Sequence, residues 1–297
     1  MKRFKLALTG LLFGLVGSAS QAQSDGATEP PPVAARPAAA APLSAQTVAV
    51  LQKRAEAGDA DAQFRLGQYL EDDSRSLGPV AAATQLAVAA SWYKAAADQG
   101  QGAALNNLGA MLVDGRGVPQ DTQQAASYYR RGAQMGNHEA ETNLALLILK
   151  KRIPGTTDEA LQGLQNASAA GFAPAEAQLG QIYLAGLLVS PDDSKAAELF
   201  RQAALQHDVW GEYGYALMLQ SGTGVARDLP VAGSWMEQAA NAGLPVAKYD
   251  LARMLEMGLG VPADKKRADA LFIQAAKLGE PRALQRLHGS TSTGPAS

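Results

Sequence analysis

The sequence predicts an all-α fold, a stack of helical hairpins, and three observations carry that prediction. A glycine or its stand-in recurs at Gly100, Gly136, Gly171, His207, Gly243 and Gly279, in steps of 36, 35, 36, 36 and 36 residues. The same residue types return at the same offsets from each of these positions, and a glycine-rich loop motif returns inside several intervals. Self-similarity at this period marks repeats that cannot bury an apolar face alone and must pack on their neighbours.

Each repeat opens with a helix A. Four residues after the closing position stands a small side chain (Ala62, Ala104, Ala140, Ala175, Gly211, Ala247, Ala283). Eight after it stand Leu66, Leu108, Leu144, Leu179, Tyr215, Leu251 and Leu287, and nine after it the residue is small again, as at Gly67, Gly109, Ala145 and Gly180. Large apolar pairs such as Met111-Leu112 and Met254-Leu255 follow at eleven and twelve. Offsets of four, eight, eleven and twelve share one face of a helix with 3.6 residues per turn. The small residues mark close backbone approach, so leucine there overpacks the hairpin at a cost of about 1–3 kcal/mol.

A helix B follows, started by Asp121, Asp192, Asp228 or Asp264, whose carboxylates suit the free N–H groups of a first turn. Alanine stands eleven before each close, then a bulky pair (Trp92-Tyr93, Tyr128-Tyr129, Leu199-Phe200, Trp235-Met236, Leu271-Phe272), then small residues three and four before it. The closing glycine takes the left-handed turn that ends the helix. Between the helices lie Gly115-Arg-Gly-Val-Pro-Gln-Asp121, Gly222-Thr-Gly-Val-Ala-Arg-Asp228 and Gly258-Leu-Gly-Val-Pro-Ala-Asp264. The first glycine ends helix A, the second permits an unusual backbone angle, and the valine plugs the hairpin end.

The string of small residue, Leu-Gly, Gly-x-Gly-Val, Asp, Ala, aromatic pair, Ala-Ala and Gly resembles Sel1-like repeats, relatives of tetratricopeptide repeats with a slightly longer unit. The resemblance covers about residues 55–289 and implies a right-handed α/α solenoid of about six hairpins with terminal capping helices. It also implies a non-enzymatic scaffold for protein–protein interaction, with roles in envelope assembly, polysaccharide export or control of a signalling receptor.

In chain order, residues 1–22 read as a secretory signal peptide: Lys2, Arg3 and Lys5, an apolar run from Leu6 to Val16, and Ser20-Gln21-Ala22 before the expected cut. The apolar run is shorter than the roughly 20 residues of a spanning helix, so no membrane insertion is expected after removal. Residues 23–42, rich in proline and alanine, read as a disordered linker. Residues 43–289 are the expected solenoid and 290–297 a disordered tail. Ser44 to Ala57 resembles a lone helix B and Glu280 to His288 a lone helix A, which makes them end caps. The first repeat is 42 residues long, which predicts a hairpin loop enlarged by about six residues around Glu71–Pro79. The third repeat lacks both loop glycines and has Gly163-Leu164 for the aromatic pair, so a local departure is expected.

Composition removes several function classes. The net charge of −2 becomes −5 once the three basic side chains of residues 1–22 are gone, and no Lys/Arg run exists. Nucleic acid is therefore not expected as a partner, nor is an anionic membrane surface. There is no cysteine, hence no disulfide framework and no lipid-modified cysteine. Ser91-Trp92-Tyr93-Lys94 matches the S-x-x-K string of penicillin-recognising enzymes, but Trp92 and Tyr93 fill the repeat's bulky columns and no K-T-G or S-D-N partner exists. His138, His207 and His288 form no i, i+4 pair, so no metal is expected. No catalytic residue and no cofactor is predicted.

What remains is the inner face of helix A, which lines a concave groove in tetratricopeptide-like stacks. The family's register places groove positions at offsets three, six and ten, which here include Asn106, Thr142, Leu146, Trp210, Tyr213, Leu217, Val246, Tyr249 and Arg253. Tyr213 and Tyr249 also fit a role in packing between helices. Trp210 stands out, since its column otherwise holds Asp61, Ala103, Glu139, Pro174 and Val246. Trp, Tyr and Arg dominate binding hot spots. The expected function is a periplasmic adaptor that holds a protein or peptide partner of the cell envelope on the fifth and sixth repeats. The rival is a cell-wall glycan binder or a hydrolase acting on peptidoglycan, for which groove aromatics would stack on sugars. Secretion beyond the cell is a third possibility.

Overall fold

The computed structural model describes residues 44–291. The expected signal peptide, the linker and all but the first two residues of the expected tail lie outside them. Among the described residues there are fourteen α-helices and no strand. The first, α1 (Ala45–Glu56), is a lone cap, and α14 (Pro281–Thr291) is the other. Between them run six hairpins: α2 (Ala60–Ser74) with α3 (Pro79–Asp98), α4 (Gly102–Asp114) with α5 (Thr122–Gln134), and α6 (His138–Leu149) with α7 (Thr157–Ala169). The last three are α8 (Ala173–Ala185) with α9 (Asp193–Leu205), α10 (Val209–Ser221) with α11 (Leu229–Asn241), and α12 (Pro245–Met257) with α13 (Lys265–Lys277). No described helix is long and apolar enough to cross a membrane. The helices form two compact units, residues 44–175 and 176–291, the boundary falling in the first turn of α8.

Each hairpin closes as its sequence dictates. Gly100, Gly136, Gly171, Gly243 and Gly279 have φ between +77° and +95°, and His207 takes the same left-handed turn at +60°. The next residue's N–H reaches back five positions, as from Asp208 to the Ala203 carbonyl at 3.0 Å. That next residue then caps the following helix. Asp59, Gln101, Asn137 and Asp208 each accept from the backbone N–H three residues on, which belongs to the small column at offset four. Asp121, Asp192, Asp228 and Asp264 cap their helices B in the same way.

Both small columns have a steric cause. At offset four, a Cβ on Gly211 would lie 2.5 Å from the Ala203 Cβ of α9. At offset nine, a Cβ on Gly67 or Gly109 would lie 2.7 or 2.6 Å from the ring of Tyr93 or Tyr129 in the same hairpin. The second member of the bulky pair is thus the heart of each hairpin: Tyr93, Tyr129, Leu164, Phe200, Met236 and Phe272 are all buried. In the loops, a Cβ on Gly224 or Gly260 would come within 2.0 Å of the carbonyl oxygen of Asp193 or Leu229, where the preceding helix B begins. Only glycine fits that approach.

Two departures from the period resolve in different ways, the first against expectation and the second as the local change expected. The extra length of the first repeat goes into its helices: α2 has 15 residues and α3 has 20, against 13 in most others, and the turn between them is short. Residues 79–90 carry alanines and no charge, so continuing the helix costs less than ordering a long loop. In the third hairpin Lys151 adopts the left-handed turn (φ +56°), and Ile153 is buried in place of the loop valine.

Candidate functional site

The S-x-x-K string does not form a catalytic pair. The Ser91 hydroxyl donates to the Val88 carbonyl at 2.7 Å, while the Lys94 ammonium binds Asp98 at 2.7 Å. The bond to Asp98 raises the lysine pKa, the opposite of what a general base needs. His138 faces Glu141 at 3.4 Å and His207 faces Glu212 at 3.7 Å. Among the described residues no three His, Cys, Asp or Glu side chains are gathered to hold a metal ion.

The nine residues expected on the helix A face divide sharply. In the first unit, Asn106, Thr142 and Leu146 are buried. Asn106 sits between helices, since Asn143 Nδ2 of α6 donates to its Oδ1 at 3.0 Å; within their own helices Asn106 Nδ2 donates to Asn107 Oδ1 at 3.3 Å and the Thr142 hydroxyl to the His138 carbonyl at 2.8 Å. Beside them, burial pushes the Glu139 carboxyl up to about 7, the Asn106 amide opposing the shift only in part. Glu139 Oε1 is buried with no hydrogen-bond partner among the described residues.

In the second unit Tyr213 and Leu217 are also buried. The Tyr213 hydroxyl donates to Asp250 Oδ2 at 2.8 Å, joining α10 to α12. Arg282 of α14 then binds Asp250 Oδ1 at 3.0 Å and Glu280 Oε1 at 2.7 Å, and its guanidinium lies 4.3 Å over the Tyr249 ring. Burial raises the Asp250 pKa, and Arg282 counters it. Arg282 occupies the offset-three column of the cap, the column of Trp210, and its role as a brace is missing from the sequence-based set.

Offset six therefore lies in the seam between consecutive helices A. Asn106 with Asn143 and Tyr213 with Asp250 are both 37 residues apart, an offset-six residue bonded to offset seven of the next repeat. The pairing of polar residues at that spacing is the signal by which the sequence announces the seam. Four of the nine residues still reach the surface: Trp210, Val246 and Tyr249 are half-buried, and Arg253 is exposed. Trp210 stands edge-on to Tyr213 with ring centroids 6.3 Å apart, and Tyr249 edge-on to Phe272 at 5.3 Å. All three apolar side chains rest on one buried cluster.

Stacked α-hairpins with a solvent-facing patch of anchored aromatics define a protein-interaction scaffold of the helical repeat class. The Sel1 repeat profile matches residues 60–101, 102–137, 173–208, 211–244 and 245–280, well over half of the chain, which belongs to this family. Residues 138–172, the divergent third hairpin, are unmatched. The Sel1-repeat-containing protein YjcO of Escherichia coli K12 is 32% identical over 177 residues, 57% of this chain and 72% of YjcO. A protein of Neisseria meningitidis serogroup B is 34% identical over 151 residues, 51% of this chain but only 32% of its own length. Among solved structures, a protective antigen of uropathogenic Escherichia coli aligns with TM-score 0.61 and 30% identity, over 81% of this chain and 50% of the antigen. A Sel1 repeat protein from Oxalobacter formigenes aligns with TM-score 0.67 and 25% identity, over 78% and 94%. Sel1 repeats are in general non-catalytic and bind protein partners.

Proposed function

We propose that this chain is an exported, non-enzymatic adaptor that holds a segment of an envelope protein on the face shared by α10 and α12. The observation that carries the reading is the contrast within equivalent columns. Offsets three, six and ten place Trp210, Val246, Tyr249 and Arg253 at the surface of the second unit, where a large anchored aromatic is the commonest source of binding energy. Tyr213 and Leu217 support that face from below, and Asn106, Thr142 and Leu146 do the corresponding work in the first unit. The basic start, short apolar run and Ser20-Gln21-Ala22 support export and removal of residues 1–22, with residues 23–42 as a tether. N-terminal sequencing of the periplasmic protein should begin at Gln23.

The test is a pull-down from the native envelope fraction, run beside one on isolated peptidoglycan. Trp210→Ala and Tyr249→Ala should each abolish capture of a protein that the unaltered chain retains. Capture unaffected by both substitutions would rule out this face. Retention on peptidoglycan alone would replace the adaptor reading with the glycan-binding one.

A further inference from the structure

The charge of the α12 face points to the chemistry of what it holds. Val246, Tyr249 and Arg253 lie at i, i+3 and i+7 of α12, which is one row along a helix. Trp210 of α10 closes the apolar end of that row, since Tyr213, against which it packs, is bonded to α12 through Asp250. The arginines of residues 245–291 are otherwise engaged with acids: Arg267 with Glu237, Arg282 with Asp250 and Glu280, and Arg286 with Glu256 at 2.5 Å. Arg253 is exposed and bound to no carboxylate at hydrogen-bond distance among the described residues; its charge acts on Asp250, one turn back on α12, through space only. The surrounding sequence is basic as well. Residues 245–291 hold eight Lys and Arg against five Asp and Glu, whereas residues 44–244 hold 14 against 21.

We infer that the face selects an acidic segment: an aromatic or large aliphatic side chain enters between Trp210, Val246 and Tyr249, and an Asp or Glu carboxylate pairs with Arg253. This rests on the adaptor reading and gives its partner a chemical class. A guanidinium takes a carboxylate through two parallel N–H bonds, and a charge at the rim of an apolar patch sets partner choice more than raw affinity. Geometry fixes the spacing. With 1.5 Å of rise per residue, Arg253 lies about 6 Å along the helix from Tyr249 and about 10 Å from Val246. An extended segment advances about 3.3 Å per residue, so the acid stands about two or three positions from the anchor.

The experiment pans a phage library of random ten-residue peptides on the full chain, on Trp210→Ala and on Arg253→Glu, an exposed position whose charge also acts on Asp250, so the urea midpoint of that variant is measured alongside to show that it is folded. The unaltered chain should enrich an apolar residue with an acid two or three positions away, and Arg253→Glu should enrich Lys or Arg at that place. A synthetic peptide from the first selection should bind Arg253→Glu roughly fivefold or more weakly, and weaken as salt rises. Peptides that need Trp210 but show no acidic preference, or that Arg253→Glu selects unchanged, overturn this inference and leave the adaptor reading standing. Failure to enrich any peptide that depends on Trp210 overturns both.

Discussion

Equivalent columns of helix A are finished in two ways in the two units of the chain. In the first unit the seam between α4 and α6 is filled by amides, Asn106, Asn107 and Asn143, bonded to one another, and the neighbouring columns carry Ala103, Glu139 and Leu146. In the second unit the same seam is a phenol on a carboxylate, Tyr213 on Asp250, and the columns beside it carry Trp210, Val246 and Arg253. Short amides close a seam and leave little above it. A tyrosine and a braced aspartate close it equally well and leave an aromatic platform at the surface. The repeat sets where a side chain goes, and the residue chosen decides whether that place is sealed or offered.

The largest expected effect comes from breaking the seam of the second unit. Asp250→Ala strands the Tyr213 hydroxyl and removes both bonds of Arg282 to Asp250, and should lower unfolding free energy by about 3 kcal/mol in urea titration. Asp250→Asn, which keeps the acceptor, should recover part of that loss. Trp210→Ala should cost about 2 kcal/mol of partner binding, measured by calorimetry on a selected peptide, with a much smaller change in stability, because the side chain is only half-buried. Asn106→Ala in the first unit should do the reverse: about 1–2 kcal/mol of stability from the lost Asn143–Asn106 bond across the seam, and no change in binding.

The smallest effect is one of pH, and both units share it. Burial pushes Glu139 and Glu176 from an ordinary 4.5 up to about 7, Asp208 adding to the shift at Glu176. A carboxyl whose folded pKa lies above its unfolded one keeps its proton longer when folded. Its contribution is complete below about pH 4.5 and declines as pH rises through 7. The urea midpoint should therefore fall between pH 5 and pH 8. The double variant Glu139→Gln, Glu176→Gln should flatten that slope, and an unchanged slope would assign the burial penalty elsewhere.

Much of the fold was legible because the period, the small columns and the capping aspartates are local or nearly local signals. Gly67, Gly109 and Gly211 sit where the sequence asks for small residues, each facing a ring or backbone that leaves no room for a Cβ. The candidate face was legible only in part. Offset six looks outward on an isolated helix, yet Asn106, Thr142 and Tyr213 are buried, and at Asn106 and Tyr213 the next helix A supplies the cover. That is a contact between residues 37 apart, and it becomes visible only when offset six of one repeat is compared with offset seven of the next. Arg282 escaped for the same reason, since its partners Asp250 and Tyr249 lie a repeat away. The first hairpin misled differently, as length alone does not tell a loop from an extended alanine-rich helix.

The central claim is that one unit offers its helix A face and the other seals it. A photo-crosslinking amino acid at Ala103 or at Val246, half-buried residues of the same offset-three column, tests that claim most directly in the native envelope. The account predicts a crosslinked protein partner at Val246 and none at Ala103, with the Val246 product lost when Trp210→Ala is added. A product of equal yield at both positions, or at Ala103 alone, would contradict it.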